Sequence, residues 1–159
     1  MTNTTTMNFH TAQHIGEIVP NVFDTMLGLR AAMATASLET PPERVSGAIG
    51  IAGETVTGTA YIHLSEPLAR EITRALLQCP AGQDAGDSDV NDVGGELSNM
   101  IGCGLKSRLN DADIVCVVSN PSAIRGAFAV ESPPGVRAEK FHFACLGARF
   151  AVEVHQQLN

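Results

Sequence analysis

No stretch of this 159-residue chain approaches the roughly 20 apolar residues that a membrane helix needs. The opening MTNTTTMNFH has neither a basic cluster nor an apolar run, so a secretory leader is not expected and the expected location is the cytoplasm. Basic residues are few, ten against seventeen acidic, and the formal net charge is −7. That is the wrong sign for a chain whose main partner is nucleic acid or an anionic membrane surface. The four cysteines, Cys79, Cys103, Cys116 and Cys145, form no C-x-x-C pair and have no accompanying His-x₃₋₅-His, so a zinc pattern is missing. Reduced thiols are expected instead. No low-complexity linker and no internal repeat divides the sequence, and its length suits one core. Residues 1–9 read as a loose tail and 10–159 as a single domain. With 44% apolar residues and a mean hydropathy of +0.08, that domain is foldable rather than disordered.

Periodicity supplies the elements. Over residues 11–36 the apolar positions Ile15, Ile18, Val19, Val22, Phe23, Met26, Leu29 and Met33 recur in steps of three and four, which predicts one long amphipathic helix kinked at Pro20 and ended by Pro41-Pro42. The period then changes to two. Val45, Gly47, Ile49 and Ile51 share one face, and Val56, Gly58, Ala60, Ile62 and Leu64 alternate after Gly53-Glu54, which predicts a β-hairpin. Its many small residues imply a sheet face approached closely by helices. Ser65 caps a helix that Pro67 can begin, with Leu68, Ile72, Ala75 and Leu76 inside, and Cys79-Pro80 stops it. A third helix starts at Asp87 or Ser88 and runs to about Leu109, before a turn at Asn110-Asp111. Strands are expected over 114–118, then 126–130, and a second hairpin over 140–147 and 148–155 around no more than a tight turn. Pro121 breaks the first of these, and residues 132–135 form a turn. Hairpin-joined strands with packed helices make an α+β domain with an antiparallel sheet, in the order α-β-β-α-α-β-β-β(-β).

The third helix is the informative one. At about 100° per residue, Val90, Val93, Leu97, Met100, Ile101, Gly104 and Leu105 gather on a core side. Asp92, Glu96, Asn99 and Cys103 form a narrow stripe on another face, and Glu96 and Asn99, three apart, are surface neighbours. Such a pair is usually only solvated, and Asp92 can be no more than a partner for the helix dipole. Gly94, Gly95, Gly102 and Gly104 each cost up to about 1 kcal/mol in a helix, which implies that something approaches its backbone. Gly104 is expected to admit the sheet, and Gly95 and Gly102 to clear a docking surface.

Asp92-x₃-Glu96-x₂-Asn99, followed after a 21-residue gap by Pro121, resembles the signature of the CheC/CheX family of chemotaxis protein phosphatases. The run from Glu96 to Gly102, the stretch Val22-Phe23-x-Thr25-Met26 and the hairpin residues Ile51-Ala52-Gly53 are similar too. CheC-like members carry the motif twice. Here the first helix reads Glu17-Ile18-Val19-Pro20, so the single motif resembles CheX. The resemblance implies a CheC-like fold, a symmetric homodimer, and hydrolysis of the acyl phosphate on the aspartate of a CheY-like response-regulator receiver. It implies that Asn99 positions the attacking water and that Glu96 pairs with the receiver's active-site lysine, with Asp92 and Pro121 as supporting motif residues. It also implies that Mg²⁺ is held by the receiver and that this chain binds no cofactor. Exposed strands at a sheet edge fit a dimer as well.

Two other classes compete. A non-catalytic module could hold a receiver or another signalling partner, with the motif a vestige. His10-x₃-His14-x₂-Glu17 lines up three possible metal ligands on one helical face, although histidines near a helix start are commonly just solvated. His63 and His155 read as surface or satisfied strand residues, and Ser119 and Ser122 have no matched base nearby. Gly102-x-Gly104 lies inside a helix and is no phosphate loop.

Overall fold

The computed structural model describes residues 9–35, 44–80, 83 and 85–158. Helix α1 (Thr11–Val22) buries Ile15, Ile18, Val19 and Val22, and Pro20 sits inside it. The helix does not continue to residue 36. It passes into a π-helical turn (Phe23–Leu27) and ends at Gly28, whose φ of 64° sets the left-handed cap. Strand β1 (Ala31–Met33) follows. Pro41-Pro42 lies outside the described residues. Phe9 does not belong to the expected tail: it is buried and stacks on His14 with ring centroids 4.5 Å apart.

The predicted first hairpin is β2 (Arg44–Ala52) and β3 (Val56–Ser65), paired antiparallel from Arg44↔Ser65 to Ala52↔Thr57. Ser65 caps α2 (Glu66–Leu77), accepting from the Leu68 amide, and α2 ends at Gln78 in the left-handed conformation. Its fully buried stripe is Leu68, Ala69, Ile72 and Thr73, while Ala75 is half-buried and Leu76, partly buried, packs against the core as expected. Helix α3 (Asp87–Asp111) runs two residues beyond Leu109, so the turn falls at Ala112 and Asp113, and Asp113 has a φ of 61°.

After α3 the chain departs from expectation. Only Val117–Val118 of the 114–118 run pairs as a strand (β4), while Ile114 and Cys116 point into the core. The next strand is β5 (Ser122–Arg125), and residues 127–130 are irregular. The second hairpin is β6 (Arg137–Cys145) and β7 (Ala148–Leu158), joined through Leu146 and Gly147, both at positive φ. Such primed turns match the twist of the flanking strands. Among the described residues the sheet has seven strands in the order β1-β6-β7-β3-β2-β4, with β5 also pairing to β2, and every pairing is antiparallel. The helices pack on one face of it, over a core that includes the Phe23–Phe150–Phe143 stack. The expected α+β architecture is the one observed. No helix among the described residues is long and apolar enough to cross a membrane.

The candidate functional site

Helix α3 starts on Gly86, with Asp87 and Asp89 in its first turn at the positive end of the dipole. Its depth is set by close backbone contact with β2. A Cβ on Gly47 would stand 1.7 Å from the Gly94 carbonyl oxygen, and one on Gly94 would stand 2.7 Å from the Ser46 carbonyl carbon. Two glycines face each other because neither backbone leaves room for a methyl group. Gly102 meets Ile49 of the same strand, where a Cβ would come within 2.7 Å. Gly104 faces Ile18 of α1 and not the sheet, and Gly102 is buried and clears no outer surface. Gly95 is also buried, covered by Ser122 and Ala123 of β5.

With this packing, Val90, Val93, Leu97, Ile101, Leu105 and Leu109 turn inward and are essentially inaccessible. Met100 and Gly104, expected with them, are only partly buried. The opposite stripe is open: Asp92, Glu96 and Cys103 are exposed and Asn99 is half-buried. The carboxylate and the carboxamide lie one turn apart on the same side of α3. Among the described residues neither Asp92 nor Glu96 enters an ion pair. Cys103 approaches the Asn99 Oδ1 atom at 3.9 Å, one turn further on. An exposed acceptor carboxylate beside an amide offering both a carbonyl and an NH₂ group can bind a cation and orient a water molecule.

Pro121 is exposed in the short connection between β4 and β5. Ser119 secures that connection. Its amide donates to the Gly50 carbonyl at 2.9 Å, its Oγ accepts from the Gly50 amide at 2.8 Å, and its hydroxyl donates to the Asn120 carbonyl at 3.0 Å. Ser119 is thus a structural tie, with no base beside it.

The other candidates resolve differently. The Arg108 guanidinium reaches the Glu17 carboxylate at 2.6 Å and lies 3.2 Å from His14 Nδ1, so a cation already occupies the place where a metal would have to sit. No group of three His, Cys, Asp or Glu among the described residues is arranged to hold a metal ion. His63 and His155 are not surface residues. Both are buried, and their Nε2 atoms reach the Glu153 carboxylate at 3.1 and 2.6 Å. His63 Nδ1 lies 2.8 Å from Ser46 Oγ, and His155 Nδ1 meets Ser132 Oγ. Burial pushes the Glu153 carboxyl up, but the two imidazole hydrogen bonds and their charge outweigh it and hold the group at about 2. This network lies on the sheet face away from the helices. Its strand half was findable in the sequence, since Glu153 and His155 are two apart and share a face, but the pairing with His63 depends on the β3–β7 register.

All four cysteines are unpaired thiols, with Cys103 exposed and Cys116 and Cys145 buried. Burial raises the thiols of both buried residues, which leaves them inert packing groups.

The profile of the family described as "Chemotaxis phosphatase CheX" matches residues 45–143, more than half of the chain and all of the motif. No curated protein matches it in sequence. Among solved structures, the chemotaxis protein CheX from Vibrio vulnificus is similar with a TM-score of 0.75 at 23% identity, covering 91% of this chain and 95% of its own. A CheC-like superfamily protein from Shewanella sp. PV-4 gives 0.72 at 23% identity over 98% and 99% of the two chains. A chain of the CheX–CheY–BeF₃–Mg²⁺ complex from Borrelia burgdorferi gives 0.72 at 18% identity over 93% and 98%. At these identities the likeness is one of fold.

Proposed function

The chain belongs to the CheX family of chemotaxis phosphatases, and from that premise we propose that it hydrolyses the aspartyl phosphate of a CheY-like receiver in two-component signalling, acting in the cytoplasm. The observation that carries this reading is the outward stripe of α3, where Glu96 is exposed and Asn99 half-buried while Leu97 and Ile101 between and beyond them are sealed inside. An acyl phosphate is already reactive, so a phosphatase needs mainly to place a water in line with the leaving oxygen. The Asn99 carbonyl accepts a hydrogen bond from that water while its NH₂ group donates to a phosphoryl oxygen. Glu96, exposed and without an internal cation, takes the receiver's lysine and fixes the docking register. Asp92, one turn earlier, orients the stripe, and Pro121 shapes the rim beside it.

The magnesium ion belongs to the receiver in this reading. Support for a receiver as the partner comes from the similar Borrelia protein, crystallised with a CheY, magnesium and beryllofluoride, a phosphoryl mimic. Two copies associate as a symmetric homodimer that covers an exposed sheet edge, which light scattering would register as twice the chain mass.

The test is the lifetime of phosphorylated receivers with and without this protein. Catalytic amounts should shorten the lifetime of the cognate receiver. Stable co-purification with an unchanged lifetime would instead make the chain a non-catalytic binding module.

A further inference from the structure

Strand β5 has little to hold it. All four of its side chains are exposed, and it pairs with β2 along one edge only. Yet it is the strand that follows Pro121, so its position decides where the rim of the docking face lies.

Contacts along α3 fix its course. Arg125, the last residue of β5, donates from Nε to Asn91 Oδ1 at 2.7 Å. Ser122 and Ala123 lie 3.8–3.9 Å from where a Cβ of Gly95 would stand. Asn91, Gly95 and Asn99 follow one another at four-residue steps along nearly one line of the helix. From Arg125 back toward Pro121, the strand therefore walks α3 from Asn91 past Gly95 toward Asn99. The spans agree: eight helical residues rise about 12 Å and four strand residues about 13 Å. Continued at that pitch, the line of the strand carries Pro121 level with Asn99.

At one end, where the backbone is paired to β2, the Arg125 guanidinium ties the strand to the helices. Besides Asn91, Arg125 reaches Glu66 Oε2 of α2 at 2.9 Å. The other oxygen of Glu66 takes Arg70 at 3.2 Å, and Arg70 continues to Asp87 Oδ1 and the Ala85 carbonyl, both at 3.2 Å. The network joins the end of β5 to the first turns of both helices. A planar fork with separate donors can serve acceptors on two helices at once, which an ammonium group does less well.

We propose that Arg125 is a positioning residue that clamps β5 to α3 and α2 and thereby holds Pro121 beside Asn99 at the receiver-docking rim. The proposal rests on the reading of that stripe as the docking face. Arg125 touches neither water nor phosphoryl group in this account, so its loss acts on docking. Because Arg125 itself is exposed at the edge of this partly shielded network, its loss should affect overall stability little.

The experiment compares Arg125→Met and Arg125→Lys with the parent, by steady-state dephosphorylation of the receiver and by amide hydrogen exchange of the free protein. Arg125→Met should raise KM about tenfold, as a displaced docking element does, and leave kcat within about twofold. Arg125→Lys should recover part of the loss. Exchange of the β5 amides should quicken in Arg125→Met while the buried turns of α3 keep their protection. Arg108→Met breaks an exposed ion pair farther along the same helix and should leave KM unchanged. A purely structural role would lower the active fraction, hence kcat, at constant KM, and would overturn the proposal. Unchanged β5 exchange would overturn it too. If the parent dephosphorylates no receiver, the functional reading fails on its own, and the β5 exchange still decides whether Arg125 is a clamp.

Discussion

The two faces of the sheet are covered by different chemistry. On one, helices press so closely that Gly47 and Gly94 meet backbone to backbone, and the filling is Ile, Val, Leu and Phe. On the other, the segment after β5 is held by polar and aromatic groups: Ser132 on His155, Phe128 edge-on to His63, and Arg44 over the Phe128 ring at 4.7 Å with a hydrogen bond to its carbonyl. Close packing fixes position without reference to pH. A His–Glu–His network fixes position only while its carboxylate is charged. The motif stripe rides on the packed side, where the depth of α3 is set by close backbone contact with β2, and that arrangement suits a site that must present two side chains in a fixed register.

Adding a methyl group at the tightest point should break the packed side. Gly47→Ala sets a Cβ against the Gly94 carbonyl, where only backbone can yield, and should cost more than about 4 kcal/mol, a large part of a domain's stability. Urea unfolding would register it. On the polar side, Glu153→Gln should cost about 2–3 kcal/mol near neutral pH, since the folded carboxyl sits at about 2 against an ordinary 4.5. The sign follows from the lowered value: the stabilisation is complete above about pH 4.5 and is lost as pH falls toward 2. Parent stability should therefore fall through that window and the Glu153→Gln protein's should fall less. Equal slopes would remove Glu153 from the account. The smallest effect sharpens the contrast. Gly95 sits one residue after Gly94, but its Cβ would meet nothing nearer than 3.8 Å, so Gly95→Ala should be neutral or stabilising by up to about 1 kcal/mol.

Much of the packed side was legible in the sequence and much of the polar side was not. Helical period alone separates Leu97 and Ile101 from Glu96 and Asn99, and period-two alternation marks the first hairpin. The first helix stops short of its periodic run: Leu29 and Met33 keep the period beyond Gly28, but a left-handed cap ends the helix there and a three-residue strand gains its stability from pairing with β6. The β-branched run 114–118 competes with β5 for one edge of β2, and β5 takes the greater share, four residues against two. No local propensity encodes that outcome. The reach of Arg125 to Asn91 and Glu66, and of Glu153 to His63, joins residues far apart in sequence, so neither leaves a local signal.

The central claim is that the Asn99 carboxamide steers the hydrolytic water while Glu96 secures the partner. The most direct measurement is the decay of radiolabelled receiver phosphate under single-turnover conditions with the parent and with Asn99→Ala, alongside binding of each to the beryllofluoride-loaded receiver. The account predicts a rate lower by about 100-fold or more with binding and thermal stability intact. An Asn99→Ala protein that binds and dephosphorylates as fast as the parent would contradict it.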